Sequence, residues 1–264
     1  MEHLDLREGA IAFDDSGGDG SLVVMIPGAG DVREEYRYLV PELVAAGARV
    51  VTADLRGHGG SSAAWPSYGM QETASDLVAL LEHLDAGPAT VVATSFAPTA
   101  ALWAASDRPD LINRLVLISA HLEPPSRWER AALRSMMRGP FAGKLWASQF
   151  RKWHPASPPA DLDEQATRLA KMMADPDRRE AVRDTLTAHR DGLEERLGRV
   201  DVPTLVLMGG ADSHFADPDA EGASIAARTG GVLHVVPDAG HYPHVEFPSQ
   251  VATVVTGFLT QSSS

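Results

Sequence analysis

The string AGPATVVATSFAPTAALWAAS, Ala86 to Ser106, is the longest uncharged run of the chain at 21 residues. Its length alone would suit a membrane span. Gly87, Pro88, Thr90, Thr94, Ser95, Pro98 and Thr99 interrupt it, however, and it divides into a β-branched piece and an Ala-rich piece. The first, Thr90–Ala93, is apolar almost throughout, as a strand buried on both faces must be. The second, Ala97–Ser106, predicts a buried helix. The two meet at Ser95, and this strand–helix junction is the centre of the fold.

The same alternation extends in both directions. Strands are expected at Leu22–Ile26, Ala48–Ala53, Leu115–Ile118, Thr204–Met208 and Leu233–Val236, and helices at Glu34–Ala46, Gln71–Leu84, Pro218–Arg228 and Pro248–Leu259. Leu77, Leu80, Leu81 and Leu84 recur at helical spacing, and Gly47 and Gly87-Pro88 stop the helices before them. Strand and helix in strict alternation predict an α/β fold with a mainly parallel sheet, to which Ala10–Phe13 adds an antiparallel edge. The rhythm lapses once. Between Leu115–Ala120 and Thr204 no strand pattern occurs, and Pro124-Pro125, Pro155 and Pro158-Pro159 cut this stretch into pieces. The expected organisation is a core of residues 1–120 and 200–264 with a helical insertion at 121–199.

Composition narrows the function. The chain has 264 residues, 44% of them hydrophobic, and no cysteine, so disulfides, thiolate metal sites and a Cys nucleophile are ruled out. The formal charge is −13, which disfavours nucleic-acid binding, since phosphate neutralisation needs cations. The acidic start, with Glu2, Asp5 and Glu8, is the reverse of a secretory leader. A cytoplasmic, soluble protein without membrane partners is expected, either a monomer or a homodimer.

The junction Ala93-Thr94-Ser95-Phe96-Ala97 has the small-x-Ser-x-small form of a nucleophile elbow, in which the sharp turn admits no large side chain two residues either side of the serine. Pro98 suits a helix start. A simple helix N-cap is the alternative reading of such a serine. Other residues support catalysis. Asp212 follows the strand Thr204–Met208 through Gly209-Gly210-Ala211, and His241 follows Leu233–Val236 in the loop Pro237-Asp238-Ala239-Gly240. All three lie at the carboxyl ends of strands, where open α/β sheets place their sites. A serine hydroxyl needs a base to take its proton, and the imidazole needs a carboxylate to orient it. Pro27-Gly28-Ala29-Gly30 then offers backbone donors, and the N–H groups of Ala29 and Phe96 are the candidate oxyanion hole.

With Pro27–Gly30, Asp54-Leu55-Arg56-Gly57-His58-Gly59-Gly60-Ser61, Ala93–Ala97, Gly209–Asp212 and Gly240-His241 in place, the sequence resembles the α/β-hydrolase superfamily, in the branch with a helical cap after the sixth strand. The resemblance implies an eight-stranded, mainly parallel sheet, a Ser95–His241–Asp212 triad, no cofactor and no metal, and a small-molecule pocket between core and cap. Two positions depart from the pattern. Pro27 stands where members usually carry a histidine that organises the oxyanion loop, and Ala93 and Ala97 stand where glycine is commonest.

Several residues carry competing readings. Asp217 and Asp219 compete with Asp212 for the acid, and His244 competes with His241, although family placement puts the base directly after Gly240. His58 reads as a turn brace, and His121 as a residue at the mouth of the sixth strand that lines the pocket. Asp212-Ser213-His214 is too short to be a metal site by itself, and no Gly-x-Gly-x-x-Gly follows a strand. In the insertion, Trp146, Phe150 and Trp153 fall on one helical face, with Trp128 and Phe141 nearby; they either pack the cap or line the pocket.

The expected activity is hydrolysis of a small to medium carboxylic ester or lactone through an acyl-enzyme. The alternatives are C–C bond hydrolysis of a β-diketone-like compound, or a non-hydrolytic ligand receptor or hydroxynitrile-lyase-like protein. Asp at the elbow would mark an epoxide hydrolase or dehalogenase, and Ser95 disfavours both. Charge is unevenly divided: the insertion carries +3 and the core −16. Arg127, Arg130, Arg134, Arg138, Lys144, Arg151 and Lys152 either dock the cap on the acidic core or face a carboxylate-bearing substrate.

Overall fold

The computed structural model describes residues 1–261. Eight strands, β1 (Glu2–Leu6), β2 (Gly9–Asp15), β3 (Leu22–Ile26), β4 (Arg49–Ala53), β5 (Ala89–Thr94), β6 (Ile112–Ile118), β7 (Thr204–Gly209) and β8 (Val232–Val236), form one sheet in the order 1-2-4-3-5-6-7-8. Pairing is antiparallel for β1–β2 and β2–β4 and parallel from β4 to β8. This is the α/β-hydrolase fold. The helices are α1 (Leu39–Ala45), α2 (Met70–Leu84), α3 (Ala97–Asp107), α4 (Arg127–Met136), α5 (Ala142–Lys152), α6 (Leu162–Met172), α7 (Pro176–Leu186), α8 (Leu193–Leu197), α9 (Pro218–Thr229), α10 (Pro243–Glu246) and α11 (Pro248–Leu259).

Strand periodicity sorts the core into two layers. Val24, Val91, Ala93, Leu115, Leu117 and Val206 join Leu77, Leu80 and Leu102 of α2 and α3 on one face. Their neighbours Val23, Met25, Val92, Val116, Ile118 and Leu207 join Leu39, Leu43, Val251 and Val255 of α1 and α11 on the other. Each fully buried aliphatic side chain contributes about 1.5–3 kcal/mol, so both faces of the central strands have to be apolar, and they are.

Two expectations change. The helix expected at Glu34–Ala46 is a 3₁₀ turn at Arg33–Tyr36 followed by α1. In an unbroken helix Pro41 would lack its N–H and press on the carbonyl of Arg37. The break places it in the first turn, where no N–H is needed. The segment around Ala10–Phe13 is not the edge: β1 lies outside β2. The sequence of β1 gives little sign of a strand, because among Glu2–Leu6 only Leu4 is buried.

Helices α4–α8 stand between β6 and β7. They have an apolar cluster of their own, including Trp146, Ala147, Phe150, Ala166, Leu169 and Val182, which reaches Val32, Tyr242 and Val245 of the core. Ion pairs fasten them down: Arg37 donates to both oxygens of Asp161 at 2.6 Å, and Arg168 pairs with Glu34 at 2.7 Å. The seven basic residues of the first half do not dock it. Among the described residues only Arg151 of that group meets a carboxylate, Asp163, and that lies within the same helical segment.

Candidate active site

Ser95 sits between the last residue of β5 and the start of α3 with φ +61°, a left-handed conformation that costs a non-glycine residue about 1–3 kcal/mol. The surroundings hold it there. Its N–H donates to Ile118 O at 2.9 Å, its carbonyl accepts from His121 N–H at 3.0 Å, and Ala93 and Ala97 are fully buried beside it. Gly28 comes so close that a Cβ there would lie 3.1 Å from Ser95 Cβ.

Asp212 and His241 meet although 29 residues separate them. His241 Nδ1 lies 2.7 Å from Asp212 Oδ2, and both side chains are buried. The other carboxylate oxygen accepts the His214 N–H at 2.9 Å. Burial pushes the Asp212 carboxyl up, but the imidazole and the His214 N–H outweigh it and hold the group below the usual carboxylate range. With Nδ1–H donated to Asp212, Nε2 is the basic nitrogen, and His241 shares a cavity with Ser95. Gly240 carries no side chain for a steric reason: a Cβ would lie 2.3 Å from Trp153 O, to which the His241 N–H donates at 3.0 Å. The rival acids and base have other tasks. Asp217 caps α9 by accepting the Ala220 N–H at 3.0 Å, and Asp219 is exposed in its first turn. His244 is buried with Nε2 3.0 Å from Glu35 Oε1.

The loop after β3 is braced at nearly every donor. The Gly28 N–H goes to Glu35 Oε2 at 3.0 Å, the Gly30 N–H to His58 Nε2 at 3.0 Å, and the Asp31 N–H to Gly28 O at 3.1 Å. Among the described residues, Ala29 N–H has no protein acceptor, and neither has Phe96 N–H after the serine. Trp146 Nε1 donates to Gly30 O at 3.0 Å, which ties α5 to the same loop. His58, expected to brace a turn, braces this one: Nδ1–H donates to Arg56 O at 2.9 Å, leaving Nε2 to accept. Burial lowers its pKa to about 4, so the ring is neutral near pH 7. Glu35 and His58 together fix two backbone N–H groups of the loop that begins at Pro27.

A cavity of about 540 Å³ opens over Ser95. His121, Trp146 and Trp153 line it, together with the apolar Leu133, Met136 and Leu186. Two expected residues do not. Trp128 is 73% exposed, with the Arg127 guanidinium 5.0 Å over its ring, because α4 turns that side outward. Phe150 packs in the helices' own core, its ring tilted against those of His154 and Tyr242 with centroids 4.9 and 5.4 Å away. His121 is neutral, its pKa lowered to about 3 by burial and by the neighbouring Arg190, His214 and His241. Sequence reasoning missed Arg190, His214 and Tyr242 on the cavity wall. For Arg190 no local signal existed, since its partners, the carbonyls of His121 and Glu123, are 69 and 67 residues away. Among the described residues no cluster of three or more His, Asp or Glu could hold a metal ion, and no helix is long and apolar enough to cross a membrane.

Known proteins share this arrangement of the chain. A profile of the "Alpha/beta hydrolase family" matches residues 23–254. The mouse sn-1-specific diacylglycerol lipase ABHD11 is 28% identical, covering 98% of this chain and 88% of its own. A 2-hydroxy-6-oxononadienedioate/2-hydroxy-6-oxononatrienedioate hydrolase of Paraburkholderia xenovorans is 26% identical over 94% of this chain and 89% of its own. Among solved structures, a thermophilic esterase from Thermogutta terrifontis superposes with a TM-score of 0.83 at 24% identity, covering 98% of each chain. The fold, the near-complete span of the family profile and these relatives lead to one conclusion: the chain belongs to the α/β hydrolase family of enzymes.

Proposed function

We propose that the protein is a cofactor-independent serine hydrolase that cleaves small to medium carboxylic esters or lactones through an acyl-enzyme. Ser95 Oγ attacks the carbonyl carbon while His241 Nε2 takes its proton, and Asp212 stabilises the imidazolium that forms. The oxyanion falls to the N–H groups of Ala29 and Phe96, whose removal costs about 10²–10³ in rate each in comparable sites. His241 returns the proton to the leaving alcohol, then activates water to release the acid. Helices α4–α8 act as the cap, and their apolar wall accepts the hydrophobic part of the substrate.

The observation that carries this reading is the buried 2.7 Å contact between His241 and Asp212 beside a serine held at positive φ in the same cavity. The lipase and esterase relatives support it. A fluorophosphonate probe should label the wild type and not Ser95→Ala, and the variant should lose hydrolysis of short-chain esters. Wild-type rates in Ser95→Ala would end the proposal.

A further inference from the structure

The cavity wall holds a cation that the proposed mechanism does not use. Arg190, in the link between α7 and α8, is 9% exposed and lines the cavity with Ser95. Its Nη1 donates to the carbonyls of His121 and Glu123, and the guanidinium lies 5.9 Å from the centre of the Phe96 ring. Among the described residues no carboxylate pairs with it. The Glu123 carboxylate is engaged with Arg228 at 3.0 Å, and Glu129, also on the wall, accepts the Ser126 N–H at 2.8 Å. Nε is sealed from solvent without a partner. Nη2 has no protein acceptor among the described residues and is not sealed, so it is the donor that remains for a ligand.

A buried guanidinium is normally matched by a carboxylate, because its desolvation is otherwise uncompensated. Here two carbonyls orient the fork, and the Glu123 carboxylate, paired with Arg228, acts on it only from beyond ion-pair distance. Burial lowers the pKa to about 10, which keeps the group cationic at neutral pH. It is also near the proposed nucleophile along the chain of contacts: Ser95 O accepts from His121 N–H at 3.0 Å, and His121 O accepts from Arg190.

We propose that Arg190 is a carboxylate-binding residue, and that the enzyme selects esters carrying a free carboxylate a few bonds from the scissile carbonyl. This rests on the ester-hydrolase reading above and adds a substrate class to it. The remaining wall, with Leu133, Met136, Trp146 and Leu186, takes the apolar part.

The test compares matched pairs in a pH-stat: ethyl hydrogen glutarate against ethyl pentanoate for an anion on the acyl side, and 4-acetoxybutanoate against butyl acetate for one on the alcohol side. The wild type should favour the anionic member of at least one pair, and Arg190→Gln should lower that kcat/KM ratio by about 10–100-fold, the range of a charge-assisted hydrogen bond. Arg190→Lys, which keeps a donor for the two carbonyls but loses the planar fork, should lower it less, and it stands in if Arg190→Gln does not fold. Absence of preference in both pairs, or a preference that both variants leave intact, overturns the proposal. A binding measurement separates the two readings. Calorimetry of ethyl hydrogen glutarate and 4-acetoxybutanoate on Ser95→Ala, with and without Arg190→Gln, reports the subsite without turnover. Arg190-dependent binding with no ester hydrolysed by the wild type would sink the hydrolase and keep the carboxylate site. Ester hydrolysis with indifferent pairs would do the opposite.

Discussion

Acidification should weaken the protein through His58 in a way that one substitution isolates. The ring is fully buried, its Nε2 accepts the Gly30 N–H, and its pKa is about 4 against 6.5 for the free side chain. The unfolded chain therefore binds this proton near pH 6.5 and the folded chain only near pH 4. Stability rises with pH in that window and falls on acidification through it. Two and a half pH units correspond to about 3 kcal/mol from this one residue. His121 and His154, depressed to about 3 and about 4 mainly by burial, act in the same direction. The perturbation is His58→Gln, whose amide oxygen can still accept from Gly30 but does not titrate. Urea unfolding of both proteins at pH 7, 6, 5 and 4 gives two stability profiles, and groups common to both cancel in their difference. The wild type should lose about 3 kcal/mol more than His58→Gln between pH 7 and pH 4. Parallel profiles would refute the reasoning, because they would mean that the folded state does not discriminate against the His58 proton.

Asp212→Asn should lower kcat about 10⁴-fold, whereas Asp217→Ala should cost about 1 kcal/mol as a lost helix cap and leave kcat unchanged; the reverse pattern, in ester kinetics and urea melts, would reassign the acid. Glu35→Ala removes the acceptor of the Gly28 N–H, so kcat should fall by about 10-fold or more with little change in KM if the proposed oxyanion hole depends on that brace, while Glu35→Gln, which can still accept, should recover most of it. Trp128→Ser should shift stability by no more than about 0.5 kcal/mol as an exposed position, and Trp146→Ala should cost about 3–5 kcal/mol and raise KM, since it empties the wall and frees Gly30 O.

The core strands were readable because burial on both faces demands uninterrupted apolar runs: Leu22–Ile26 coincides with β3, and Thr204–Met208 falls one residue short of β7. Where a strand is polar the signal fails, as in β1, whose backbone pairing with β2 needs little help from its side chains. Ser95, Asp212 and His241 were legible for a related reason. Each closely follows the end of a recognisable strand, and parallel strands deliver their ends to one edge of the sheet. The glycines and alanines around them mark backbone approaches that the neighbours make obligatory, as the Trp153 carbonyl does at Gly240.

The helices between β6 and β7 behave otherwise. Periodicity placed Trp146, Phe150 and Trp153 on one face, but that face serves two masters, the cavity for Trp146 and Trp153 and the helices' own core for Phe150. No spacing within a helix says what lies opposite it. The sequence by itself therefore determined the parallel part of the sheet, the strand–helix junction at Ser95 and the chain order of Ser95, Asp212 and His241, because local pattern and chain direction decide them. Only the tertiary structure decided that Glu35 and His58 hold the loop after β3 and that Arg190 lines the cavity without an ion-paired carboxylate among the described residues, because those facts depend on which groups a fold brings within about 3 Å and which it leaves out.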